Sequence, residues 1–265
     1  MRRLFPTEFI YQVSALLVSF ILVHAAYVAM IRPNAEQFLA SEKAKVALDA
    51  QYEMQQSVYV ILRDYEQEAC LVLMFWAFAI LGYKAIAIMR QRRQLEMDLV
   101  GLPEGTTVSS ESAQQTSQLI RKRFSGPEQG FLLARAMLAA IDRFVATRSV
   151  QDASTVVHNV CDAEAERQDS QLSIIRYVAW AIPSIGFIGT VRGIGDALTK
   201  VQRAVSGDIS GVTDSLGVAF NSTLVALLAS IVLMFLIHQL QSSQEQLVLD
   251  TRKYCDDWFV RRLKV

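Results

Sequence analysis

Four stretches of this 265-residue chain are apolar over lengths that match a bilayer, and they constrain its fold more than any other feature. They run from Phe9 to Ile31, Cys70 to Met89, Leu172 to Leu198 and Leu216 to Leu240. A helix needs about 20 residues to cross a hydrocarbon core about 30 Å thick. Within that core every backbone N–H and C=O must be paired inside the protein, so such runs fold as helices. The expected fold is therefore all-α, an integral membrane protein with four transmembrane helices. A hydrophobic content of 52% and a mean hydropathy of +0.26 agree with this. The first run is too long for the apolar core of a signal peptide. Ile31-Arg32-Pro33 is also a poor cleavage site, so the run reads as a retained helix.

Composition excludes several function classes. The 26 Lys and Arg balance the 26 Asp and Glu, so no net charge points to nucleic acid as a partner. Cys70, Cys161 and Cys255 form no CxxC pair, which indicates neither a disulfide framework nor a zinc site. His24, His158 and His238 have no second ligand one helical turn away and read as packed or interfacial side chains. No metal site and no cofactor is expected. The polar segments carry no nucleophile–base motif, phosphate loop or metal-ligand spacing, so the chain does not read as an enzyme.

Lys and Arg outside the spans set the orientation. They are concentrated in the N-terminal tail (Arg2, Arg3), in the 90–171 segment led by Arg90, Arg92 and Arg93, and in the C-terminal tail (Arg252, Lys253, Arg261, Arg262, Lys264). Those parts are expected in the cytoplasm, with both termini inside. The expected organisation is an N-terminal tail and first transmembrane helix over 1–31, then a periplasmic helical hairpin over 32–69 and a second helix over 70–89. A cytoplasmic helical domain follows over 90–171, with a linker at 101–118. The third helix covers 172–198, a periplasmic link 199–215, the fourth helix 216–240 and a cytoplasmic helical tail 241–265. Within the cytoplasmic domain, Leu132, Leu133, Ala136, Met137, Ala140, Ile141 and Phe144 recur at helical spacing. Ser149-Val150-Gln151-Asp152 resembles a capping signature, the start of a helix that can run without Gly or Pro to Ile182.

The third and fourth spans are unusual in their small and hydroxyl residues. Gly186, Gly189, Thr190 and Gly193 share one helical face, and Gly189-to-Gly193 is a GxxxG step that permits close backbone approach. Ser215, Ala219, Ser222, Ala226 and Ala229 form a similar stripe, bordered by Thr223 and Ser230. The plain reading of both stripes is helix–helix contact, because small faces are common in membrane bundles and Ser or Thr hydroxyls can bond their own helix. Three details point further. Pro183 removes a backbone bond to Ala179 inside the span. Asn221, Ser222 and Thr223 are adjacent and point in different directions. Arg192 and Asp196 are spaced to form an outer ion pair. No Asp or Glu is expected deep in any span, so a proton path would need a carboxylate from another chain.

At these residues the chain resembles the MotA/TolQ/ExbB family of ion-channel subunits. Gly186-Phe187-Ile188-Gly189-Thr190-Val191-Arg192-Gly193-Ile194 is similar to the family's third-helix motif. The run from Ala219 to Ile231 is similar to its last-helix motif, with Ala226 where the family usually has Gly and Ser230 where Ala is common. The resemblance implies a bacterial inner-membrane subunit that forms a pentameric ring around a single-span dimer of the MotB/TolR/ExbD type. The partner carries an aspartate in its helix. Proton or sodium flow between ring and aspartate would drive rotation or mechanical work. Carried over by motif, Thr190 and Thr223 face that aspartate and line the ion path, with Ser222 and Asn221 beside them. Pro183, Gly186, Gly189, Gly193 and Ala226 serve kinking and packing. A different class of reading is a non-conducting membrane scaffold that only binds partner helices.

Overall fold

The structure is a computed structural model and describes residues 7–49, 52, 55–96, 112–124 and 126–263. The described residues contain helices and no strand. The helices are α1 (Thr7–Ala26), α2 (Arg32–Leu48), α3 (Val58–Leu62), α4 (Tyr65–Glu96), α5 (Ala113–Arg123), α6 (Leu132–Thr147), α7 (Val150–Gln171), α8 (Ser173–Thr199), α9 (Val201–Val205) and α10 (Ser210–Tyr254). Four helical stretches among the described residues are long and apolar enough to cross a membrane: Glu8–Leu48, Tyr65–Leu95, Val150–Thr199 and Ser210–Arg262.

The chain divides into two compact units, Met1–Gly82 with Ile174–Ile237, and Tyr83–Ser173 with His238–Val265. The first holds the apolar runs. Its outer surface is greasy in a way that water would not tolerate: Leu22, Phe187, Ile188 and Ile231 are each at least 60% exposed. Inside, Tyr11 donates its hydroxyl to the Ala79 carbonyl at 3.0 Å and the Trp76 indole donates to the Gln12 carbonyl at 2.8 Å, tying α1 to α4. A π-helical segment, Tyr27–Ile31, joins α1 directly to α2, and Pro33 sits in the first turn of α2. Within residues 32–69, α2 ends at Leu48, α3 begins at Val58 and the two helices pack together. The buried Glu42 of α2 accepts from Lys45 at 2.7 Å and from the Gln55 backbone N–H at 2.9 Å. The helix of the second span begins at Tyr65, earlier than its apolar run, and so takes in Glu66 and Glu68.

The second unit is built on the predicted α6 stripe. Leu132, Leu133, Ala136, Met137, Ala140, Ile141 and Phe144 are all buried, packed with Val157, Cys161, Cys255 and Phe259. Ser149 caps α7 by accepting the Asp152 N–H at 3.2 Å. The helix it starts is interrupted at Leu172, whose N–H turns back to Asp169 and Ser170, before α8 begins. Glu164 is buried on α7 and receives Arg135 at 2.8 Å, Arg167 at 2.5 and 2.9 Å, and Gln168 at 3.1 Å. Burial alone would raise its carboxyl. The hydrogen bonds from Arg167, Arg135 and Gln168, with the Arg167 charge, outweigh it and hold the group below its ordinary range. Of the expected linker at 101–118, residues 101–111 lie outside the described residues. Residues 113–118 are instead the first turns of α5, whose Ala113, Thr116 and Ile120 are buried at helical spacing.

Candidate functional site

In the first unit α8 and α10 run antiparallel with their small faces in contact. A Cβ built on Gly189 would lie 2.5 Å from the Ser222 Cβ. One on Gly193 would lie 2.7 Å from the Ala219 Cβ and 2.8 Å from the Ala219 N and the Ser215 O. One on Gly186 would strike the Ala226 methyl. As the number rises on α8 it falls on α10, and each glycine admits a small residue of the other helix. Real Cβ atoms do not approach this closely, so the three glycines set the separation of the two helices.

That separation brings Thr190 and Thr223 together. Their hydroxyls are in direct hydrogen-bond contact, each half-buried. Thr190 Oγ1 also lies 3.1 Å from the Ala219 carbonyl of α10 and 3.3 Å from the Gly186 carbonyl of its own helix. Thr223 Oγ1 lies 3.1 Å from the Gly186 carbonyl of α8. Each hydroxyl has one proton and two lone pairs. Two protons cannot serve all four contacts at once, so they can be redistributed between the carbonyls and a third group without the helices moving.

Pro183 lies inside α8 and the helix continues through it. The carbonyl its missing N–H would have satisfied, that of Ala179, is taken by the Ser230 hydroxyl from α10 at 3.2 Å. Close by, the Ile182 carbonyl receives the buried Cys70 thiol of α4 at 3.5 Å.

Other expected site residues fall elsewhere. Ser222 is 0% exposed and packed on Gly189, and its hydroxyl donates to the Val218 carbonyl of its own helix at 2.8 Å. Asn221 is half-buried, next along the helix and off the threonine face. Arg192 does not pair with Asp196. It reaches across to α4 and donates to both oxygens of Glu66 at 2.7 and 2.8 Å. Residues 126 apart in sequence cannot be paired from helical spacing, which is why Glu66 was missed. Glu68 was missed for the same reason. It is 7% exposed, meets His24 Nδ1 at 2.6 Å and accepts from Arg32 at 2.5 Å. The only sequence signal for it is the carboxylates at 66 and 68 directly before an apolar run.

The described residues contain no group of three His, Cys, Asp or Glu side chains able to hold a metal. The site presents hydroxyls, backbone carbonyls and carboxylate–cation pairs. Neither a curated protein nor a solved structure matches the chain. Residues 128–253 match the model of the MotA/TolQ/ExbB proton channel family, a stretch that contains α8, the threonine pair and most of α10. Residues 128–253 are thus a domain of the MotA/TolQ/ExbB proton channel family, whose members are channel- and transport-associated proteins.

Proposed function

We propose that this chain is the ring subunit of a proton-driven complex of the inner membrane, with five copies surrounding a single-span partner dimer whose helices carry an aspartate. The observation that carries the reading is the Thr190–Thr223 pair, two hydroxyls brought together from separate helices within an apolar unit. A hydroxyl does not titrate near neutral pH, so neither threonine carries a proton alone. Each can give its proton to an arriving carboxylate, and each can accept from that carboxyl once it is protonated. The pair thereby offers a similar reception to both states, which lets the aspartate load and unload beside it. The Gly and Ala faces of α8 and α10 pack on each other and hold the threonines at fixed separation. Orientation follows the distribution of Lys and Arg, with both termini and the 90–171 segment in the cytoplasm. The Glu66–Arg192 end of the unit then faces the periplasm. Sodium in place of the proton would use the same oxygens.

The test is proton flux into vesicles containing the complex purified through this subunit. Replacing the partner's membrane aspartate by asparagine abolishes flux if the reading holds. Flux that continues unchanged in that variant refutes it and favours a complex in which this chain is a scaffold.

A further inference from the structure

Among the described residues of the first unit, Glu68 is the one carboxylate that is buried and bonded to a histidine. His24 Nδ1 meets its Oε1 at 2.6 Å, and the two side chains differ sharply in exposure, 48% for His24 and 9% for Glu68. Arg32 holds the other oxygen at 2.5 Å and lies over the rings of Tyr27 and Tyr65, with centroids at 5.6 and 4.5 Å. The Phe20 ring stacks flat on His24 at 5.6 Å. Tyr27 is 0% exposed and its hydroxyl has no hydrogen-bond partner among the described residues. It sits in the π-helical segment that interrupts α1 and α2, and such insertions recur where a helix must re-aim a side chain for function.

The charges around this group are accounted for. Arg32 of α2 neutralises Glu68. Arg63 pairs with Asp64 at 3.6 Å, ahead of α4. Arg192 of α8 is committed to Glu66, on a different face of α4 from Glu68. Tyr27, Tyr65 and Cys70 are the remaining titratable neighbours. Since Arg32 already neutralises the carboxylate, His24 is not needed for charge balance. Its imidazole instead offers a second site for a proton at the other carboxylate oxygen.

We propose that His24 and Glu68 form a proton-loading pair on the chain itself, distinct from the carboxylate supplied by the partner. His24, the exposed member, takes a proton from the periplasmic side. The proton on Nδ1 passes to Glu68 Oε1, leaving a neutral imidazole and a neutral carboxyl beside Arg32. The uncompensated Arg32 charge then favours release of that proton. The inference rests on the proton-driven reading and on its orientation for the side from which the proton comes.

Two measurements test it. The first is infrared titration of the purified full-length chain, read at the protonated-carboxyl band. A protonated-carboxyl band that titrates in the wild type should vanish in Glu68→Gln and shift its midpoint in His24→Asn. No titrating band assignable to Glu68 overturns the proposal whether or not the complex conducts. The second is flux in right-side-out vesicles as the outer pH is varied. His24→Asn should lose the inflection that the wild type shows, and added imidazole should restore it in His24→Ala. Equal loss of flux at every pH, with a lowered unfolding midpoint and no imidazole rescue, identifies a structural clamp and also overturns the proposal. Flux that survives replacement of the partner's aspartate is the separate failure of the proton-driven reading, and the infrared result stands apart from it.

Discussion

The three glycines of α8 differ in what faces them, and that difference can be turned into an experiment. In Gly186→Ala the new methyl meets first the Ala226 methyl and then the Ser222 O at 3.1 Å and the Thr223 Cα at 3.3 Å. Carbon atoms in ordinary contact stand about 3.5–4.0 Å apart, so the helices must part by about 1 Å. Thr190 would then move beyond hydrogen-bond reach of the Ala219 carbonyl, now 3.1 Å away. Overpacking of this size costs about 1–3 kcal/mol. Replacing a helical glycine returns about 1 kcal/mol of propensity, so the net loss is about 0–2 kcal/mol. Adding Ala226→Gly removes the struck methyl and cancels the propensity change. The double variant should return to within about 0.5–1 kcal/mol of the wild type, the coupling expected of residues in contact. Gly193→Ala is different, because its new Cβ meets the Ala219 N and Ser215 O, backbone atoms that Ala219→Gly leaves in place at 2.8 Å. That double variant should stay destabilised by about 1 kcal/mol or more. Unfolding by detergent titration of the purified chain measures all four. Equal rescue of both pairs, or of neither, would refute the account of how α8 and α10 are spaced.

Two other perturbations follow from single contacts. Ser230→Ala leaves the Ala179 carbonyl unpaired next to Pro183 and should cost about 1–3 kcal/mol in the same titration, whereas Ser230→Thr, which keeps the hydroxyl, should cost less. In the second unit, folding holds the Glu164 carboxyl below its ordinary value of 4.5. Its stabilisation is complete above that value and is lost as pH falls through the lower folded one. Glu164→Gln should therefore lower the unfolding midpoint at pH 7 and flatten its decline in acid; an unchanged acid decline in the variant would contradict the assignment.

The spans were readable because lipid imposes length and hydropathy on any chain that crosses it, and the α6 stripe because one buried helical face repeats every three or four residues. The stripes of α8 and α10 were visible for the same reason. Periodicity says which residues share a face but not the register of that face against another helix. The pairing of Gly186 with Ala226, or of Thr190 with Thr223, therefore needed the fold. Pro183 announced an orphaned carbonyl at Ala179, yet the serine that satisfies it lies 51 residues away. The same limit explains Arg192. Asp196 is its neighbour by helical spacing, and a carboxylate on another helix took the guanidinium instead. Glu66 and Glu68 were assigned to the hairpin because charges normally end an apolar run. Here each is neutralised by an arginine, which lets α4 carry them into its first turns.

The central claim is that the Thr190 and Thr223 hydroxyls, and not merely the shape of the face they occupy, serve the ion path. Valine keeps the shape and removes the hydroxyl; serine keeps the hydroxyl and trims a methyl. Proton flux should be measured in vesicles containing the assembled complex, with Thr190 and Thr223 each replaced in turn by serine and by valine, and with assembly checked for every variant. The account predicts that the serine variants conduct and that the valine variants assemble but do not. Wild-type flux in both valine variants would contradict it.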